Sequence, residues 1–344
     1  MIRPTLKDIA EYVGVSVSTV SKALSNSKEI NEETIKKVKD AAIKFNYNNL
    51  SSEHNITNAI GVILPEVTSF LHSNILEKLE MKLQDCGYNL LLGIHNFEYQ
   101  KIEQYVRLFA AKKLDGIFIV VDSCEITEEQ YDRIISICNE SSLPLFVTES
   151  SMNRNFNYLC NAIVIDDFYA IEKLTGYLLK HGHTEFGLIF DRLDYNRLGT
   201  VQRVLRKKGI ELPEQRIFVT DTRNEEAGVK GMEYFLQSDD IPTAFVASYD
   251  EVCIGALKCA QDHGYTAPSD FSIFSFDNTR ISEYVFKGIT TIQLPINKIV
   301  DIAVSTIMND VKDGIDHSKM LMRITSEAVI RSTTGPAPAR KKDF

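Results

Sequence analysis

The sequence predicts an α/β protein: an N-terminal three-helix, helix-turn-helix headpiece followed by a two-lobed body of parallel sheets covered by helices. Three observations predict it. The first 45 or so residues place apolar side chains at helical spacing on either side of a turn glycine. From about residue 60 onward, short apolar runs alternate with amphipathic helical stretches, the pattern of parallel sheets with helices on both faces. At 344 residues the chain is too long for one ordinary core and suits two or three domains.

The headpiece is read element by element. Leu6, Ile9, Ala10 and Val13 fall on one helical face, and Thr5 with Asp8 forms a capping-box start. Gly14 supplies the backbone freedom for a sharp turn, and Ser16 caps a second helix. On that helix Val20, Ala23 and Leu24 point inward, leaving Val17, Ser18, Ser21 and Lys22 at the N-terminal end and outer face. A third helix, capped by Asn31, closes the core with Ile35, Val38, Ala42 and Phe45. This layout puts the second helix in the major groove of double-stranded DNA. A helix N-terminus attracts phosphate, so Ser16 and Thr19 are expected to set register. Base preference is expected from a Val17 methyl on thymine, the Ser18 hydroxyl and the Lys22 cation at guanine. Thr5, Ser21 and Asn26 complete the expected DNA-contacting set. A small protein-interaction module is the bland alternative, disfavoured by the joint presence of spacing, turn glycine and cap.

In the body, apolar runs at 60–64, 88–93, 115–120, 144–148, 162–165, 186–190, 243–247 and 271–275 read as strands, with a lobe division near 161. Ligands of such folds sit beyond the C-terminal strand ends, which nominates Glu66 to Phe70, Glu149, Asp191, Asp250 and Asp277. Phe70 and Tyr249 offer aromatic faces for a sugar ring. A helix cap or surface charge is the competing reading for each, even odds for Asp191 and Glu149.

Composition narrows the classes. With 44% hydrophobic and 25% charged residues the chain has a globular balance. Its net charge of −9 argues against a polyanionic partner for the whole, but residues 1–50 hold eight Lys and Arg against six Asp and Glu, so the acidity lies in the body. Six cysteines without a close CxxC pair read as reduced cytosolic thiols, with no metal site and no cofactor expected. No signal-peptide pattern or long apolar run is seen, so a cytoplasmic location without membrane association is expected. Phosphate-loop, dinucleotide and nucleophile-elbow motifs are absent, and His181 and His183 read as a helix end and a strand entry rather than metal ligands. Catalysis is not expected.

The stretch TLKDIAEYVGVSVSTVSKAL with INEETIKKVKDAAIKFNY resembles the headpiece of the lactose-repressor (LacI/GalR) family of transcription regulators. IGVILPE, LDGIFIV, IVIDDFYAIEKLTGYLLKHGHTEFGLIF, PTAFVASYDEVCIGALKCAQDHGY, FSIFSFDN and ITTIQLPINKIVDIAVSTI resemble its later segments in order. The resemblance implies a periplasmic-binding-protein-like body whose chain crosses between lobes near 161, 291 and 322. The organisation expected is a headpiece at 1–47, a shortened linker at 48–59 and a body at 60–335. Lobe 1 takes about 60–161 and 291–321, lobe 2 about 162–290 and 322–335, and a disordered tail 336–344.

The same resemblance implies that Arg197 binds the effector and that Asp250 and Asp277 are cleft aspartates. Tyr249 stands where the family usually has asparagine. The linker NYNNLSSEHNITNAIGV lacks the family's proline, arginine and wedge leucine, so a tether is expected in place of a hinge helix, with Leu50 the remaining candidate wedge. The function implied is a homodimeric DNA-binding repressor governed by a small effector, a sugar or sugar derivative. The alternative is a ligand-sensing protein with weak or lost operator specificity.

Overall fold

The computed structural model describes residues 5–24, 27, 29–45, 57–121, 126–149, 160–238, 240–314 and 319–339. Asn26, Leu50 and the linker from 46 to 56 lie outside them. The chain divides into two compact units, Met1–Asn58 and Ala59–Phe344.

In the first unit, α1 (Leu6–Val13), α2 (Val17–Leu24) and α3 (Glu32–Lys44) bury Ile9, Ala10, Val20, Ala23, Leu24, Val38, Ala41 and Ala42 against one another. The expected caps are in place. Thr5 donates its backbone N–H and its hydroxyl to Asp8 Oδ2 at 2.6 and 2.7 Å. Gly14 takes φ 75°, the left-handed conformation that ends α1 and lets its N–H reach the Ala10 carbonyl. Ser16 Oγ accepts the Thr19 N–H at 3.0 Å, and Asn31 Oδ1 accepts that of Thr34 at 2.7 Å.

The second unit holds two six-stranded sheets among its described residues. The first is ordered β2 (Asn89–Ile94), β1 (Ala59–Leu64), β3 (Gly116–Val120), β4 (Leu145–Glu149), β5 (Asn161–Asp166), β11 (Leu321–Thr325), all parallel. One face packs α5 (Tyr99–Ala111) and α6 (Glu128–Glu140), the other α4 (Phe70–Asp85) and α11 (Ile296–Asp313). The second sheet runs β7 (Ile217–Thr220), β6 (Phe186–Asp191), β8 (Ala244–Ala247), β9 (Ser272–Asp277), β10 (Thr290–Gln293), β12 (Glu327–Val329), with only the β10–β12 pair antiparallel. It carries α9 (Asn224–Leu236) and α10 (Asp250–Asp262) on one face, α7 (Phe168–Lys180) and α8 (Tyr195–Lys207) on the other.

All eight anticipated strands are present, and β7, β10, β11 and β12 are additional. Those four are short, and β7, β11 and β12 are mostly exposed or half-buried. Such edge strands lack the continuous apolar run that marks a buried parallel strand. The lobe crossings fall later than expected. Because β5 pairs with β4 and β11, the chain leaves the first lobe after Asp166, not near 161. It returns after β10, where Leu294 and Ile296 join the first-lobe core, not at 291. Ser326, between β11 and β12, marks the last crossing, not 322. Apolar runs report burial, whereas the hydrogen-bond ladder decides which sheet a strand serves.

The C-terminal tail departs from the expected disorder in its first residues. His183 Nε2 lies 3.0 Å from the Gly335 carbonyl, which only accepts, so this nitrogen carries the proton; Nδ1 then accepts from Thr243 Oγ1 at 3.1 Å. Burial holds the imidazole below its ordinary pKa, in keeping with this neutral tautomer. Ala337 N–H donates to the His181 carbonyl. His181 ends α7, as expected.

Two glycines set how closely α9 and α10 approach. A Cβ on Gly228 would come 1.9 Å from the Val252 carbonyl oxygen, and one on Gly255 equally close to that of Glu225. Only hydrogen at both positions lets the two helices touch backbone to backbone. Their N-caps, Arg223 and Tyr249, are thereby brought side by side. No helix of the described residues is long and apolar enough to cross a membrane.

Candidate functional site

The cavity that gathers the sequence-nominated groups lies between the two sheets of the body and is built from loops at C-terminal strand ends. The first lobe contributes Glu66 and Ser69 after β1, His72 in the first turn of α4, and Phe97 after β2. From the second lobe come Asp191 after β6, Asp194 and Arg197 beside it, Arg223 after β7, Tyr249 after β8 and Asp277 at the end of β9.

Arg197 is 7% exposed and fully engaged. Its Nη1 donates to the Ser248 carbonyl at 2.9 Å and Asp194 at 3.1 Å, Nη2 to Asp277 at 3.2 Å and Nε to Asp167 at 3.4 Å. The guanidinium carbon lies 4.4 Å from the centroid of the Phe276 ring. Burial pushes the carboxyls of Asp277 and Asp167 upward, with the Arg197 charge opposing. Asp277 also has φ 96°, a conformation costly for any residue with a side chain, and its position is therefore enforced by what surrounds it.

A second arginine joins the lobes. Arg223 Nη1 lies 2.8 Å from Glu66 Oε2 across the cleft, and its Nε lies 3.4 Å from Asp191 Oδ2. The guanidinium carbon stands 4.7 Å from the Phe97 ring centroid. Tyr249 donates its hydroxyl to the same Asp191 oxygen at 2.5 Å and accepts the Asn224 N–H at 3.1 Å. Desolvation and the neighbouring Asp191 push that phenol up. For Glu66 desolvation works against the charge, but the nearby His72, the Thr68 hydroxyl and the charge of Arg223 outweigh it, holding the carboxyl at about 2. Close by, the Phe70 N–H donates to Glu251 Oε1 at 3.0 Å, a further lobe-to-lobe contact. The cavity left between these groups encloses about 40 Å³. A drug-sized ligand occupies roughly 300–1,000 Å³, so this is a closed cleft.

Of the sequence-nominated effector residues, Arg197, Tyr249 and Asp277 line the cavity and Asp250 does not. Asp250 is wholly buried, accepting from Ser275 Oγ, Thr279 N–H and hydroxyl, and Thr291 Oγ1 at 2.5 to 2.8 Å. Its carboxylate fastens the first turn of α10 to β9 and β10, a framework role. The half-exposed Phe70 is also outside the lining, so the structure does not place its ring where a sugar in this cavity would stack. Tyr249 contributes a committed hydroxyl rather than an open ring face. Asp191 lines the cavity and caps the 3-10 turn after β6, while Glu149 is buried outside it. Arg223, Phe97, His72, Asp194 and Asp167 were not nominated. A strand assignment at 217–220 would have made Arg223 a candidate, since it then follows a strand end.

In the headpiece, Ser16, Val17, Ser18 and Lys22 are exposed and Thr19 and Ser21 half-buried. The Ser16 and Thr19 hydroxyls lie 2.8 Å apart at the α2 N-terminus, and Lys22 Nζ is 2.5 Å from Glu29 Oε2. Thr5 is occupied as the α1 cap. Among the described residues no group of His, Cys, Asp and Glu is arranged to hold a metal ion.

Comparison with known proteins agrees with these two parts. Residues 5–49 match the family model for bacterial regulatory proteins of the lacI family, and 175–334 that of the periplasmic binding protein-like domain. The HTH-type transcriptional repressor PurR of Vibrio atlanticus (strain LGP32) is 26% identical over 338 residues, covering 96% of this chain and 98% of that protein. In fold, the chain resembles the lac repressor dimer bound to operator and the anti-inducer ONPF, with a TM-score of 0.80 at 19% identity over 97% of this chain and 100% of that one. A complex of the transcriptional regulator CelR with cellobiose gives a TM-score of 0.67 at 18% identity, covering 96% of this chain and 100% of that one.

Proposed function

This chain belongs to the lacI family of bacterial regulatory proteins, and from that premise we propose that it is a cytoplasmic, homodimeric transcriptional repressor whose hold on operator DNA is set by a small polyhydroxylated ligand in the cleft. The observation that carries the ligand reading is the wall of the cavity: charged side chains from both lobes meet there directly, with room for only a few waters. A sugar-sized guest requires the lobes to part. A ligand that binds the parted state better than the closed one moves the equilibrium toward it.

In this reading each headpiece serves one half-site of a near-palindrome, with α2 in the major groove. Ser16 and Thr19 approach phosphate, and Val17, Ser18 and Lys22 read bases. The surface ion pair of Lys22 with Glu29 is the weak, solvent-screened kind that yields to a guanine edge. Major-groove contacts carry the binding without a leucine wedge at the operator centre, so the DNA is bent little. The protein matched over nearly its whole length is a transcriptional repressor, and the role proposed here is regulatory, not catalytic.

The test compares affinity for genomic fragments with affinity for random DNA at one stated salt concentration, by fluorescence anisotropy. The expected result is a preference of about 10³-fold or more. Equal affinities would sink the repressor reading. Lys22→Ala is expected to relax discrimination at one base pair, whereas Thr19→Ala weakens binding uniformly.

A further inference from the structure

The cleft wall is richer in carboxylates than its arginines balance: Glu66, Asp191, Asp194 and Asp277 face it with Arg197 and Arg223. The two cations differ in their freedom to move. Arg197 is clasped inside one lobe by three carboxylates, a carbonyl and an aromatic face. Arg223 is a quarter exposed, stands at the N-cap of α9, and reaches across to Glu66 on the other lobe. Parting the lobes therefore separates Arg223 from Glu66 and leaves Arg197 where it is. Glu66 also has an oxygen that makes no hydrogen bond. Its Oε1 is closed off from solvent and has no hydrogen-bond partner among the described residues, with His72 Nδ1 at 3.8 Å. A buried carboxylate oxygen without a hydrogen-bond partner calls for a donor.

We propose that the ligand of this cleft, granted the ligand-controlled reading above, carries a cationic nitrogen on a polyhydroxylated body, as an amino sugar does, and that in the parted cleft its ammonium takes the place on Glu66, beside the Phe97 ring of the same lobe, that the Arg223 guanidinium vacates. The chain's own arginine marks the cation's position on the first lobe: the Glu66 carboxylate at 2.8 Å and the Phe97 ring face at 4.7 Å are what an ammonium seeks. The ligand's hydroxyls meet the remaining carboxylates. A sugar phosphate is rejected, because its anion would enter among carboxylates that are fixed in place. Without ligand, the Arg223 to Glu66 bridge keeps the cleft shut and competes with the incoming cation.

The experiment uses the full chain as wild type, Arg223→Ala and the double variant Arg223→Ala with Glu66→Gln. Thermal melting is followed against glucosamine, galactosamine and mannosamine, their N-acetyl forms, the parent hexoses, the hexose 6-phosphates and methylguanidinium. An amino hexose is expected to raise the melting temperature saturably, with an apparent Kd about tenfold lower in Arg223→Ala, because the competing internal cation is gone. Methylguanidinium is expected to act on Arg223→Ala alone, and the double variant to respond to neither. Silence of every amine on both wild type and Arg223→Ala overturns the proposal. So does a neutral or phosphorylated hexose that matches the amine. Operator anisotropy is read in the same samples: an amine that binds without changing operator affinity supports the cation site and refutes ligand control, so the two failures are distinguishable.

Discussion

The Arg197 cluster and the Arg223 bridge are made of the same groups a few side chains apart, yet they serve opposite ends. Arg197 is drawn inward by partners of its own lobe, and two of the carboxylates it holds, Asp167 and Asp277, are buried with it while Asp194 is partly buried. Arg223 spans two lobes, and its main partner, Glu66, belongs to the other one. An ion pair within a rigid body is a fastening, whereas the same pair between movable bodies is a latch. The difference teaches that the arginine matching a family's effector position has structural obligations here that its motif does not reveal.

The sharpest way to break this contrast is Arg197→Ala. Removing one partner of a buried charge cluster costs about 3–5 kcal/mol, so urea unfolding is expected to show a large drop in stability with any loss of ligand response secondary to it. A variant that keeps full stability and loses only its response would return Arg197 to a purely ligand-binding role. Asp250→Asn comes next. It sets an amide among four donors and is expected to lose about 1.5–3 kcal/mol, with ligand affinity in the folded fraction unchanged; a specific affinity loss would place Asp250 back in the site. Arg223→Ala leaves the mostly buried Glu66 and Asp191 without the cation between them and is expected to cost about 1–3 kcal/mol while enlarging the radius of gyration seen by solution scattering. No change in dimension would mean that the bridge does not hold the lobes.

The last effect is a pH dependence. Glu66 is held at about 2 from an ordinary 4.5, so the folded state binds its proton less readily than the unfolded chain does. The stabilisation is complete above about pH 4.5 and is lost as pH falls toward about 2. The difference in melting temperature between wild type and Glu66→Gln should therefore shrink across that window. A difference constant from pH 6 to pH 3 would contradict the Glu66 charge as its source.

Much of this molecule was legible in its residues because the relevant physics is local. Helical spacing, the Thr5 with Asp8 cap, the Gly14 turn and the Ser16 cap act over three or four residues, and each appears in the headpiece as read. Long apolar runs likewise identified eight strands, seven of them buried and the eighth the mostly exposed edge strand β2, whose run is apolar all the same. Edge strands β7, β11 and β12 escaped because half-exposed segments carry no such run, and with β7 went the strand end that marks Arg223. The lobe crossings shifted because pairing, not hydrophobicity, assigns a strand to a sheet.

The sequence by itself determined the presence of a DNA-binding headpiece, an α/β body and the strand ends from which a cleft would be built. Only the tertiary structure decided which charges face one another. Asp250 turned into the framework, Arg197 into a triple clasp and Arg223 across to Glu66, and all these partners except Asp194 lie 25 to 157 residues away in the chain. Local propensity sets the shape of a segment, but the partner of a buried charge is chosen by how segments dock, and no residue's neighbours in sequence specify that.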